Sequence, residues 1–161
     1  MKRLAIAVSI LAIGAAGCGS KNPGSPSTAT IFTVQLSALN ENPPITNAEA
    51  TARGTAVITI DSAKNTIDFN VSLNSFPTGS AVNIAHIHGP NAPAGTNASV
   101  LVSTGLTAGN VPLTNGAGTF SFLQVTASAA NIAAILAAPQ NFYFNVHTAL
   151  NGGGAVRGQL Q

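Results

Sequence analysis

The chain holds three histidines, and all of them fall in two short strand-like segments. One is His86-Ile87-His88; the other is Phe142-Tyr143-Phe144-Asn145-Val146-His147. Along an extended strand, side chains two apart share a face and lie roughly 6.6–6.8 Å from each other. His86 and His88 therefore point the same way, with Ile87 turned to the opposite side. A neighbouring strand about 4.8 Å away that carries His147 would gather three imidazoles on one patch. Such a set suits copper or zinc, and with a fourth open position it matches a catalytic zinc geometry. The single methionine, Met1, lies in the N-terminal leader and the single cysteine, Cys18, is the expected lipid attachment point, so the body of the chain offers no sulfur ligands for blue-copper or iron–sulfur centres. The competing use of the same residues is structural, with imidazoles bonded to backbone carbonyls and to nearby Thr or Asn side chains. No carboxylate lies close in sequence to orient the ligands or act as a base. No catalytic residue is assigned.

Alternation sets the faces. Phe142, Phe144 and Val146 form the natural core side of their strand, which turns His147 outward beside the Tyr143 hydroxyl and the Asn145 amide. These two residues are the expected supports of the site. In residues 83–88 the histidines share a face with Ile84, opposite Asn83, Ala85 and Ile87, so the facing there stays open. A second pair is Glu41 and Arg157, drawn from a very small stock of charges. A bidentate bridge between them would clamp the first and last strands together; two separate solvated loop charges are the alternative.

The elements that must position these residues are strands. Phe32, Val34 and Leu36 alternate with polar neighbours, as do Ile67, Phe69, Val71 and Leu73, which is the period-two mark of half-buried strands. Further strands are expected at 54–60, 82–88, 99–103, 118–123, 142–148 and 155–160. Asn115-Gly116 signals a tight turn. Only residues 127–138 look helical, with Ile132, Ile135 and Leu136 at helical spacing and Pro139 as a stop. Seven or eight short strands with frequent turn signals predict an all-β domain, a Greek-key β-sandwich of superoxide-dismutase-like or immunoglobulin-like type with one short helix.

Only 6% of the 161 residues are charged, against roughly 25% in ordinary domains. Met1-Lys2-Arg3 followed by apolar residues 4–13 and small residues 14–17 reads as an export signal, too short to span a membrane. Cys18 after those small residues resembles the bacterial lipobox, in which the cysteine carries the lipid. The chain is thus divided into a lipoprotein signal peptide (1–17), a Pro/Gly/Ser-rich tether (18–30) and one domain (31–161). The expectation is an exported protein lipid-anchored to a bacterial membrane at Cys18. Gly19 after the cysteine resembles the outer-membrane sorting pattern. With the leader removed, Lys21, Arg53, Lys64 and Arg157 balance Glu41, Glu49, Asp61 and Asp68. No basic patch is left for nucleic acid.

Three segments, Leu36-Ser37-Ala38-Leu39-Asn40-Glu41-Asn42-Pro43-Pro44, Ala85-His86-Ile87-His88-Gly89-Pro90, and Tyr143-Phe144-Asn145-Val146-His147-Thr148 with Gly153-Gly154-Ala155-Val156-Arg157-Gly158-Gln159-Leu160, resemble the CHRD domain in order and spacing. The family often has Gly at the place of Ala38 and Glu at that of Ala155, and neither departure touches the histidines. The resemblance implies an extracytoplasmic module with no established catalytic activity. His86, His88 and His147 are also similar to part of the copper site of Cu,Zn superoxide dismutases. That site needs a fourth histidine, a bridging ligand and a zinc subsite, which this chain lacks. The function expected is a binding module of the cell envelope, with a copper-dependent redox enzyme and a metal-free adhesive domain as rivals. Its partner would be an envelope protein or polysaccharide.

Overall fold

The computed structural model describes residues 29–107, 109 and 111–161. The expected signal peptide, the expected lipidation site Cys18 and most of the expected tether lie outside the described residues. The first strand as described spans Ala29–Ser37.

The described chain is all-β apart from one short helix and two 3-10 turns. Its strands are β1 (Ala29–Ser37), β2 (Arg53–Asp61), β3 (Thr66–Asn74), β4 (Ala81–His88), β5 (Val100–Ser103), β6 (Val111–Pro112), β7 (Gly118–Thr126), β8 (Tyr143–Thr148) and β9 (Val156–Gln159). Pairing is antiparallel throughout, in the order β5-β4-β8-β9-β1-β2-β3-β7, with β6 added beside β4. The contact between β9 and β1 is a single register position, Ser37 against Arg157. Two four-stranded halves therefore meet at a narrow seam, and the sheet curls until they face each other. Phe69 of β3 stacks on Phe144 of β8 across the interior, ring centroids 5.5 Å apart.

Alternation explains which residues fill that interior. Val34 and Leu36 of β1, Ala56, Ile58 and Ile60 of β2, Ile67, Phe69, Val71 and Leu73 of β3, and Phe144 and Val146 of β8 are all buried. Removing such side chains from water supplies the main driving force, about 25 cal/mol per Å² of apolar surface. In β4 the alternation breaks. Val82, Ala85 and Ile87 all reach the core because the register against β8 slips between Val82 and Ile84. A bulge of this kind puts two residues opposite one and inverts the parity that follows. That inversion is why the facing of residues 83–88 is unreadable from sequence, and it turns His86 and His88 away from the core.

The helix α1 (Ala129–Ala137) is capped by the Ser128 hydroxyl, which accepts from the Asn131 amide at 3.1 Å. It packs Ile132 and Ile135 inward and carries the chain from β7 to β8. At Asn115-Gly116 both residues take positive φ, 51° and 76°, the twist that a two-residue hairpin turn requires.

Candidate metal centre

Register brings the histidines together. His88 pairs with Tyr143 and His86 with Asn145, while His147 lies two register positions further along, beside Ile84 and on the same face. His86, His88 and His147 thus occupy adjoining positions on the outer face of β4 and β8. Their candidate ligand atoms all lie within 4.8 Å of one another. The Nδ1 of His86 is 3.3 Å from the Nε2 of His147. Two ligands held at about 2.0–2.1 Å by a tetrahedral zinc would be about 3.3–3.4 Å apart, so this edge already has the right length.

The patch was expected to face outward, and it does lie on the outer side of the sheet, but it is not open. His86, His88 and His147 are only 9%, 8% and 5% exposed. Two loops that follow β4 and β8 cover them. The first, residues 89–99, places the Ala98 carbonyl 3.0 Å from His88 Nδ1. The second, residues 149–155, places the Gly152 carbonyl 3.0 Å from His147 Nδ1. A carbonyl can only accept, so both imidazoles carry their proton on Nδ1 and keep the Nε2 lone pair bare. The Nε2 of His88 is buried without a hydrogen-bond partner among the described residues. The orienting groups that a sequence search for carboxylates misses are these two backbone oxygens, which side-chain identity does not announce.

Burial keeps the cluster neutral. Desolvation, with the neighbouring imidazoles of His147 and His88 adding to it, pushes His86 down to about 4. His88 and His147 are also lowered, again chiefly by burial, although their carbonyl bonds pull the other way. At neutral pH, three uncharged imidazoles converge here, the form in which histidine binds metal.

Of the expected supports, Tyr143 meets the cluster with its ring. Its ring lies flat on His88, centroids 4.8 Å apart and 1° from parallel, and its hydroxyl accepts from the Ala98 amide at 3.4 Å. Arg157 and Glu41 do approach each other, but not as a bidentate bridge. Their closest atoms, Arg157 Nε and Glu41 Oε2, are 4.0 Å apart. The guanidinium donates instead to the carbonyl of Asn40 (2.6 Å), the carbonyl of Thr96 (3.1 Å) and Asn97 Oδ1 (2.7 Å). It also stacks over the far face of Tyr143, 4.7 Å from the ring centroid. Burial outweighs Arg157 and a hydrogen bond from Asn145, and raises Glu41 to about 7. Asn145, directly between His86 on β4 and Arg157 on β9, is therefore a partner of Glu41.

Glu49 is the residue that sequence reasoning passed over. It is 1% exposed and accepts from Ser80 Oγ (3.0 Å), Thr148 Oγ1 (2.7 Å) and Asn151 Nδ2 (2.6 Å). Its rarity was the available signal, since it is one of only four acidic residues in the chain.

A curled antiparallel sheet carrying a loop-covered cluster of three histidines defines a small β-module with a potential metal-holding face. The chain belongs to the CHRD domain family, whose model matches residues 32–160. Neither the curated proteins nor the solved structures searched contain a significant match.

Proposed function

We propose that this chain is a lipid-anchored, extracytoplasmic binding module of the cell envelope that holds one zinc or copper ion through His86, His88 and His147. The observation that carries the reading is the convergence of three neutral imidazoles, two of them fixed by carbonyls with Nε2 bare. The ligand set favours Zn(II) or Cu(II) over hard cations, which prefer oxygen. Backbone carbonyls do here what second-shell carboxylates do elsewhere, holding ring orientation and raising ligand basicity. The export signal and the lipobox-like Cys18 support anchoring to a bacterial membrane. An envelope protein or polysaccharide is the natural partner in that compartment. A groove of about 600 Å³ lined by Gln35, Asn40, Asn42 and Gln159 offers it amide donors and acceptors.

A second reading has its own observation. With His147 Nδ1 donating to Gly152, a neutral His86 donates its Nδ1 proton to His147 Nε2 across 3.3 Å. That bond alone would make the cluster a polar clasp between β4 and β8, serving a metal-free structural or adhesive domain.

Metal analysis of protein purified from the periplasm separates the two, with His147→Ala prepared in parallel. The expected result is close to one zinc or copper per chain, lost in the variant. Tyr143 is the only tyrosine and the chain has no tryptophan, so Cu(II) at His88 should quench the intrinsic fluorescence. Sub-stoichiometric metal that His147→Ala does not change would leave the clasp as the function of the cluster. Bound copper that turns over superoxide would instead favour the redox enzyme.

A further inference from the structure

The two loops over the histidines are secured by the same device, built with opposite charges. In the first loop, Asn97 immediately precedes Ala98, whose carbonyl holds His88. Its Oδ1 accepts from Arg157 Nη1 at 2.7 Å, and its Nδ2 donates to the Asn42 carbonyl at 2.8 Å. In the second loop, Asn151 immediately precedes Gly152, whose carbonyl holds His147. Its Nδ2 donates to Glu49 Oε2 at 2.6 Å. Arg157 and Glu49 are 2% and 1% exposed, and their hydrogen bonds go to Asn40, Thr96 and Asn97 and to Ser80, Thr148 and Asn151 rather than to an imidazole.

We infer that Arg157 and Glu49 are positioning residues. Each pins an asparagine, the asparagine fixes the next carbonyl, and that carbonyl fixes the proton of one histidine on Nδ1. The result is that His88 and His147 both present an unprotonated Nε2, that of His88 without a hydrogen-bond partner among the described residues and that of His147 beside His86 Nδ1. The inference rests on the metal-binding reading for its purpose, but its geometry is testable without any metal.

Physical chemistry gives the device its logic. A buried imidazole free to rotate or to exchange tautomers would present Nε2–H as often as a lone pair, and Nε2–H cannot bind a cation. Loops are the mobile parts of a fold, so a loop carbonyl orients a ligand only when the loop itself is tied down. Charged groups make the stronger hydrogen bonds, and burial shields them from competing water. The asparagine amide serves both sites because it offers an acceptor to the guanidinium and a donor to the carboxylate.

The test uses the exposed or half-exposed ends of each chain of contacts, so that the core is left intact. Asn97→Ala and Asn151→Ala are compared with the unaltered domain by long-range 1H–15N NMR of the imidazole nitrogens at neutral pH. In the unaltered domain, His88 and His147 should both show protonated Nδ1 and bare Nε2. Asn97→Ala should admit the Nε2–H form at His88 alone, and Asn151→Ala at His147 alone. Glu49→Gln, which keeps an oxygen for Asn151, should preserve the His147 pattern that Glu49→Ala loses. Titration of the same proteins with Zn(II) should give affinities about 10–100-fold weaker in each asparagine variant, the usual effect of removing orienting contacts.

Unchanged tautomers in both variants, or equal disturbance of His88 and His147 by each, would overturn the inference. If the one-to-one pattern appears and no variant or parent binds Zn(II) or Cu(II), the positioning role stands and the metal-binding reading falls. If metal binds equally to every variant with tautomers unaltered, the positioning role falls and metal binding stands.

Discussion

Glu41 illustrates how burial can reverse the expected role of a charge. Placed near a guanidinium, a carboxylate ordinarily stays ionised and contributes stability. Here Arg157 directs its donors to Asn40, Thr96 and Asn97. Glu41 Oε1 is left buried without a hydrogen-bond partner among the described residues. Its carboxyl is raised from 4.5 to about 7, so the folded state binds its proton more tightly than the unfolded chain. Below pH 4.5 the group is protonated in both states and has no effect. As pH rises from 4.5 to about 7 the unfolded chain releases a proton that the folded protein still holds, so stability falls across that window and levels off once the buried acid has ionised too. Glu41→Gln should therefore match the parent below pH 4.5 and exceed it above pH 7.5, by about 3 kcal/mol from the cost per pKa unit. Urea denaturation of both proteins across that range checks the prediction. A variant less stable than the parent at every pH would mean that Glu41 works as an ion.

Among the elements, the seam between β9 and β1 carries the greatest structural risk, because one register position joins the two halves of the sheet. Gly158 sits at that seam. A Cβ there would overlap the Gln35 carbonyl and come within 2.7 Å of Val34 Cγ1. Backbone cannot yield as a flexible side chain can, so Gly158→Ala should cost about 1–3 kcal/mol, the usual range for overpacked core positions. Gly153, five residues away in the loop over His147, has nothing within 4 Å of its would-be Cβ. Gly153→Ala should stay within about 0.5 kcal/mol of the parent, as surface changes do. Equal denaturation midpoints for the two variants would show that the seam has slack. The contrast bears on the histidines, since β9 supplies Arg157 and lies next to β8.

For the whole molecule, a metal that binds only the folded state must raise its stability. Zn(II) at a hundred times its Kd adds about 2.7 kcal/mol, which for a domain of this size is a rise of about 10 °C in Tm. His147→Ala should show no such rise. Differential scanning with and without Zn(II) measures it, and an equal shift in the variant would place the binding elsewhere. The large apolar side chains left exposed, Ile31, Leu39, Val100, Leu123 and Leu150, come from five separate stretches of the chain. Singly exposed apolar residues are ordinary on a protein surface and mark no interface by themselves.

Residue pattern alone determined the β class, the strands that alternate cleanly, the helix with its Pro139 stop, and the core face of residues 142–146. Those features are local: side-chain period and turn chemistry act within a few residues, so one segment at a time suffices to read them. It also drew attention to His86, His88, His147, Glu41 and Arg157, because residue types so rare in this composition stand out. Their arrangement was settled only by tertiary structure. A bulge between Val82 and Ile84 chose the face of two histidines, and loops 89–99 and 149–155 turned an outward patch into a buried one. Arg157 found three oxygens better placed than the carboxylate of Glu41, and Glu49 reached across about a hundred residues to Asn151. Contacts between distant segments depend on register and loop path, and these emerge only when the whole sheet has closed.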